Sequence, residues 1–275
     1  MYKRQFQTRI DLRVCQNCLP NARHLDERMR IMMGVLDGAA LLLSPSESHR
    51  RLYLANGVAE AAIRVNRNGI RPAARQHAPR PEGAPVRFGF VGGAEPIKGY
   101  HLIRKAFEAL PQSNWELVLV DNTLSLGFRS IDVSAWRVRG TITVVPAYTQ
   151  DGLDDFFDRI DVLLFPSQWK ESFGLSVREA LLRDIWVIAT AGGGQAEDIL
   201  DGENGRLIPL DGREDGLLEA VSEVLLVPER LDSHRNAHAS SIATYDSQAV
   251  ELLQFLREAV DLNAAASARP PSGRG

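Results

Sequence analysis

Cysteine occurs only twice in this 275-residue chain, at Cys15 and Cys18. Two cysteines cannot staple a disulfide scaffold, and such sparing use leads us to expect a cytoplasmic protein. No apolar run approaches the roughly 18 residues that a membrane-crossing helix needs. The opening MYKRQFQTRIDLRVCQ carries charges with no apolar stretch behind them, so it does not read as a secretory signal. Neither sign of charge is in excess: 35 acids face 32 bases, for a net charge of −3. That balance removes the electrostatic ground for nucleic acid or an anionic membrane as a partner, and a peripheral membrane contact is left open on other grounds. No histidine–carboxylate grouping has metal-site spacing, and Cys15-Gln16-Asn17-Cys18 with His24 is one ligand short of a zinc site. A free or redox-sensitive cysteine pair is the preferred reading. Lysine is scarce too, with four (Lys3, Lys98, Lys105, Lys170) among 28 arginines, so each lysine merits individual attention.

What is present is ordinary globular material, 44% apolar and 24% charged, long enough for one large or two modest domains. Residues 1–70 hold an apolar run, Ala39–Leu43, and a predicted helix from Glu47 to Asn56 that Ser46 would cap and Gly57 would end. A short strand Ile63–Val65 and a turn at Asn68-Gly69 follow. Two strand candidates cannot build a doubly wound domain. Residues 1–70 are therefore expected either to pack on the following domain as an accessory or, the preferred reading, to be the end of a domain whose beginning lies outside this chain. Pro72, Pro79, Pro81 and Pro85 make residues 71–85 an expected interdomain linker.

From Val86 apolar strands alternate with helical patterns. Strands are predicted at Val86–Val91, Glu116–Val120, Thr141–Val145, Val162–Phe165, Trp186–Ala189 and Arg206–Ile208. Helices are predicted near Tyr100–Leu110, Leu153–Arg159, Leu175–Arg183, Ala196–Leu200 and Glu214–Leu226. Fully apolar strands alternating with helices imply an α/β fold with a doubly wound parallel sheet over residues 86–230. A C-terminal helical segment, 231–262, and a disordered tail, 263–275, complete the expected organisation. His24, His49, His77 and His101 have no visible partners and are expected at the surface.

In an open parallel sheet ligands bind beyond the carboxyl ends of the strands. Three loops there carry chemistry. The first, Phe90–Gly99, has paired glycines, Gly92 and Gly93, and places Lys98 at a predicted helix start, where the dipole disfavours a cation and a bound phosphate would relieve it. Alone, it reads equally as a glycine turn with a solvated lysine. The second runs from Pro166 to Glu179. If it were wholly helical, Glu171 and Glu179 would lie about 12 Å apart and roughly 80° out of phase. That is too far for a glycosidase-type carboxylate dyad but suits two acceptors on one elongated polar ligand. Gly174 and the amides of Leu175 and Ser176 would present N–H donors to a phosphate. The alternative is two solvated helix-start charges. The third, Thr190–Glu197, places three glycines where backbone would need to approach something closely, or would merely turn. Trp169, just before the glutamates, is a candidate to stack on a sugar or base. Tyr148 is a candidate base neighbour by fold analogy. Convergence of all three loops on one sheet edge favours function.

The segments VGGAEPIKGYHLI (91–103), PSQWKESFGLSVREAL (166–181), WVIATAGGGQAEDIL (186–200) and DGENGRLIP (201–209) resemble the C-terminal domain of GT-B, family-four retaining glycosyltransferases. SPSESHRRLYLANGV (44–58) and IRVNRNGI (63–70) resemble the last helix and connecting strand of that fold's N-terminal domain. The resemblance implies that the domain binds a nucleoside diphosphate sugar without a divalent metal or other cofactor. It implies Lys98 on the donor pyrophosphate, Glu171 on the sugar hydroxyls and Glu179 on the ribose hydroxyls. Gly92, Gly93 and the backbone of Phe173, Gly174, Leu175 and Ser176 would complete the donor site. The acceptor is left as a carbohydrate, a lipid-linked group or a small molecule. Gly93 departs from the pattern, since related enzymes often carry arginine there. A nucleotide-sugar-binding domain without transfer activity and a nucleotide-sugar epimerase are the competing readings.

Overall fold

The computed structural model describes Arg9 and residues 24–75, 77–78 and 80–267. It divides into two compact units, one comprising Ile70–Ile242 and the other the segments before and after it.

The larger unit is built on six parallel strands: β3 Val86–Val91, β4 Trp115–Asp121, β5 Thr141–Pro146, β6 Val162–Phe165, β7 Trp186–Thr190 and β8 Gly205–Ile208. Their order is β5-β4-β3-β6-β7-β8, so chain progression reverses between β3 and β6. The doubly wound parallel sheet expected from the strand–helix alternation is therefore present. The period of two in each strand divides its apolar run between two cores. Leu117 and Leu119 of β4 join Phe88, Phe90, Phe107 and Ile188 on one face. Val118 and Val120 join Phe157, Ile160, Leu163 and Val177 on the other. Burial of each such side chain stabilises by roughly 1.5–3 kcal/mol. Gly89 sits inside β3 because a Cβ there would stand 2.7 Å from Ile160 Cδ1. The covering helices are α3 Tyr100–Ala109, α4 Leu153–Phe157, α5 Leu175–Leu181, α6 Asp215–Leu226 and α7 Glu229–Asp232.

Several expectations are corrected. Ala196–Leu200 is not helical. A single 3₁₀ turn, Gly194–Ala196, stands there, following Gly192 and Gly193 at φ 87° and 90°. The described residues of 71–85 are in neither helix nor strand, but they lie along the larger unit rather than spanning free. Arg71 donates to Gln150 O, Arg75 pairs with Asp155 and Asp158, and Arg80 pairs with Asp232. Arginines beside carboxylates hold it where backbone hydrogen bonds cannot. His77, expected at the surface, is buried with its ring nitrogens 3.7 Å from Asp158 and Asp161.

The second unit contains α1 Leu25–Asp37, the parallel pair β1 Leu42–Ser44 and β2 Ile63–Val65, α2 Glu47–Ala55 and α8 Tyr245–Ser267. Ser46 caps α2 as expected, accepting from His49 N. Arg64 pairs with Glu258 at 2.6 Å, and Gly69 N donates to Gln248 Oε1 at 2.6 Å. Helix α8 runs through residues 263–267, which were expected to begin a disordered tail. The alanine-rich stretch favours helix and extends it. Among the described residues no helix is long and apolar enough to cross a membrane.

Candidate functional site

The strand order reverses between β3 and β6, and in an open parallel sheet the crevice for ligands lies at the carboxyl edge of such a reversal, between the loops that follow the two strands. Two contacts lock these loops together. Gln168 N donates to Ile97 O at 2.7 Å, and Gly99, at φ 82°, packs directly on the Pro166 carbonyl where a Cβ has no room. The glycine follows Lys98, which lies in the 3₁₀ turn Pro96–Lys98 ahead of α3 rather than in the helix itself.

Lys98 and Glu171 meet in this crevice. Lys98 Nζ donates to Glu171 Oε1 at 2.7 Å, and Ser167 Oγ donates to the same oxygen at 2.9 Å. The lysine at the head of the loop is thus offset by a carboxylate of this chain. The pair stays reachable, with the Lys98 side chain 38% exposed and Glu171 19%. Charge-assisted bonds of this kind are about twice as strong as neutral ones and are well suited to exchange for an anionic ligand.

Glu179 is placed differently. Helix α5 begins at Leu175, after Gly174 at φ 88°, so only Glu179 of the two glutamates is helical and the wholly helical separation does not apply. Its side chain is buried, and burial pushes its carboxyl pKa up against the opposing pull of Arg183. Among the described residues no side chain donates to that carboxylate. A buried carboxylate without a donor is costly to the fold, which points to a ligand as the missing partner. Tyr148 stacks on Phe156 at 4.6 Å, and burial together with the nearby charge of Glu179 raises its pKa.

Phe173 is buried, with its ring under the Arg178 guanidinium at 4.0 Å and its carbonyl accepting from Arg178 Nη1. Leu175 is exposed at the start of α5, followed by Ser176. A Cβ at Gly92 would meet the Phe90 ring at 2.6 Å and Lys98 Cβ at 3.1 Å, so the turn needs glycine there. Gly93, at φ 62°, faces open space. The third loop does approach something closely, and it is the glutamate loop: Gly194 N donates to Glu171 O at 2.7 Å. Trp169 stands 41% exposed beside the crevice, whereas Trp115, Trp136 and Trp186 are buried.

Sequence reasoning missed Ser167, Arg178, Gln195 and Asp198. Arg178 is wholly buried and pairs with Asp198 at 2.7 Å. Its legible signal is a cation set among the apolar positions of an amphipathic helix. Ser167 and Gln195 carry no signal in one sequence, because both act through tertiary contacts. Among the described residues no group of histidine, cysteine or carboxylate side chains could hold a metal ion. Cys15 and Cys18 lie outside the described residues.

A model of the family described as Glycosyl transferases group 1 matches residues 71–240. The D-inositol 3-phosphate glycosyltransferase of Mycobacterium leprae is 29% identical over 191 residues, covering 67% of this chain and 43% of the relative. Its counterpart in Mycobacterium tuberculosis is 26% identical over 181 residues, covering 61% of this chain and 37% of the relative. The chain thus spans less than half the length of these curated relatives. Among solved structures, a glycosyltransferase from Rickettsia africae superposes with a TM-score of 0.69 at 16% identity, over 82% of this chain and 64% of that one. Sucrose-phosphate synthase from Thermosynechococcus elongatus gives 0.68 at 22%, over 89% and 63%. HepE of Anabaena, solved in complex with UDP-glucose, gives 0.63 at 19%, over 80% and 64%. At these identities the superpositions speak for a shared fold.

Proposed function

Because the chain belongs to the group 1 glycosyl transferases, we propose that its crevice binds a nucleoside diphosphate sugar and passes the sugar to an acceptor with retention at the anomeric carbon. The observation that carries this reading is the reachable Lys98–Glu171 pair at the strand-order reversal, beside the buried Glu179. In transfer, the bond from the sugar's anomeric carbon to the diphosphate breaks and the diphosphate leaves with the electron pair. An acceptor oxygen takes its place and passes its proton to the departing diphosphate. Negative charge grows on the departing diphosphate, where Lys98 and the amides of Leu175 and Ser176 offset it. Glu171 accepts from sugar hydroxyls and Glu179 from the vicinal hydroxyls of the ribose. Gly92 and Gly93 let the first loop approach the pyrophosphate, and the Phe173-Gly174 backbone faces the phosphate and sugar. These roles follow the family resemblance residue by residue, and the residue chemistry agrees with each. No step calls on a metal. UDP is the nucleotide to try first, since HepE was solved with UDP-glucose.

A second reading, nucleotide-sugar binding without transfer, is favoured by Gly93, which supplies no cation where relatives often place arginine. Calorimetric titration with UDP, GDP and ADP, repeated on Glu179→Ala, tests the donor site. One nucleotide should bind and the substitution should weaken it by roughly 1–3 kcal/mol. A folded chain that binds none of the three refutes the site. Incubation of UDP-glucose with candidate acceptors then separates transfer from binding alone, and release of an epimeric nucleotide sugar without acceptor would identify an epimerase.

A further inference from the structure

The backbone of Glu171 is bonded on both sides by a loop outside its own segment. Its N–H donates to Gln195 Oε1 at 3.1 Å, and its carbonyl accepts from Gly194 N at 2.7 Å. The Gln195 side chain is wholly buried, a placement that costs free energy unless both ends of the amide are satisfied. Both are: Nε2 donates to Gly192 O at 2.7 Å. The fit is close, because a Cβ on Gly193 would stand 2.8 Å from Lys170 Cα and 2.9 Å from Glu171 N. The loop that carries Gln195 is itself fixed, since Arg178 donates to Gly194 O at 2.7 Å and to Asp198 at 2.7 Å.

We propose that Gln195 is a positioning residue for Glu171: its amide reads the backbone of the glutamate loop and sets where the Glu171 carboxylate stands beside Lys98. The inference rests on the reading of Glu171 as the ligand of the donor sugar. The same amide reaches Trp169 O and Thr190 O at 3.4 Å each, so it ties the glutamate loop to the end of β7. Glu171 faces the sugar, while Lys98 and Glu179 serve the nucleotide. Loss of the Gln195 contact therefore weakens the intact nucleotide sugar and spares the nucleoside diphosphate. General destabilisation would weaken both alike.

The test uses the full chain, with Gln195→Met, which keeps length and removes the amide's hydrogen bonds, and Gln195→Glu. Hydrogen exchange of residues 169–174 and titration with UDP and UDP-glucose are the readouts. In Gln195→Met the segment 169–174 should exchange faster while β3 and β4 keep wild-type protection. Affinity for UDP-glucose should fall roughly tenfold relative to UDP, the loss of one well-placed hydrogen bond to a charged group. Gln195→Glu keeps an acceptor for Glu171 N–H but at pH 8 sets a carboxylate against Gly192 O, so it should show part of the loss and recover toward the wild-type ratio as pH falls, because a protonated carboxyl again donates to Gly192 O. Wild-type exchange at 169–174 in Gln195→Met overturns the brace, and an unchanged UDP-glucose to UDP ratio overturns the positioning role. If the wild-type chain binds neither compound, the reading of Glu171 fails, and exchange alone still decides whether Gln195 holds the loop. Should Gln195→Met not fold, the acid recovery of Gln195→Glu carries the decision, and its absence overturns the proposal.

Discussion

Replacing Glu179 by glutamine should make the protein more stable at neutral pH and a poorer binder of its nucleotide. The carboxyl group is buried on α5, and desolvation raises its pKa above that of an exposed glutamate, against a smaller opposite effect from Arg183. Arg183 is already committed to Asp154, to which Nε donates at 2.7 Å, so burial wins. The sign follows directly. Between the unfolded pKa, about 4.5, and the raised folded value, the folded state holds the extra proton, so stability falls as pH rises. The slope in that window is at most about 1.4 kcal/mol per pH unit, and above it the full penalty persists. Glutamine has nearly the same shape and does not titrate. The advantage of Glu179→Gln should be absent at pH 4 and grow as pH rises through the window. Each kcal/mol gained raises the melting temperature by about 2–4 °C for a chain of this size. With Glu179 as the proposed ribose ligand, the amide loses the charge that would strengthen a bond from the hydroxyls, so nucleotide affinity should drop by roughly 1 kcal/mol. Melting followed by circular dichroism from pH 4 to 8, with UDP titration at pH 8, measures both. A variant whose stability relative to wild type is the same at pH 4 and pH 8 would refute the reasoning.

Other substitutions probe the same architecture. Lys98→Ala should weaken UDP binding by roughly 1.5–3 kcal/mol, and calorimetry at two salt concentrations should show a shallower salt dependence than wild type. Asp121, at the end of β4, accepts from Thr123, Ser130 and Ile131, and these donors hold its carboxyl well below the usual range. Its contribution is present above the unfolded pKa and is lost as pH falls below it, so Asp121→Asn should cost about 1–3 kcal/mol at pH 7 and shrink that cost toward acid. Urea denaturation at pH 7 and pH 3 checks this. Gly89→Ala would force a methyl against Ile160 and should destabilise by about 1–3 kcal/mol without changing β-sheet content, as read by chemical denaturation and circular dichroism.

The six strands of the larger unit were legible because each is a short apolar run bounded by turn residues, and that pattern depends only on neighbours in the chain. The helix at Glu47–Ala55 was legible for the same reason, since the Ser46 cap and the Gly57 stop are local. Family membership was legible in the spacing of Glu171 and Glu179 within ESFGLSVREAL, a constraint set along a single loop and helix. Tertiary structure decided the rest. Lys98 and Glu171 are 73 residues apart, and only the adjacency of β3 and β6 places their charges 2.7 Å from each other. The three glycines at 192–194 announced a close approach, but the partner was undetermined until the fold placed the Glu171 backbone there. Residues 71–85 carry the prolines of a linker, and Asp155, Asp158 and Asp232 turn them into a strap along the larger unit. Local pattern sets which residues become strands, caps and turns, because those energies arise between neighbours. The meeting of charges across loops, and the burial that shifts Glu179, arise only once the sheet has chosen its order.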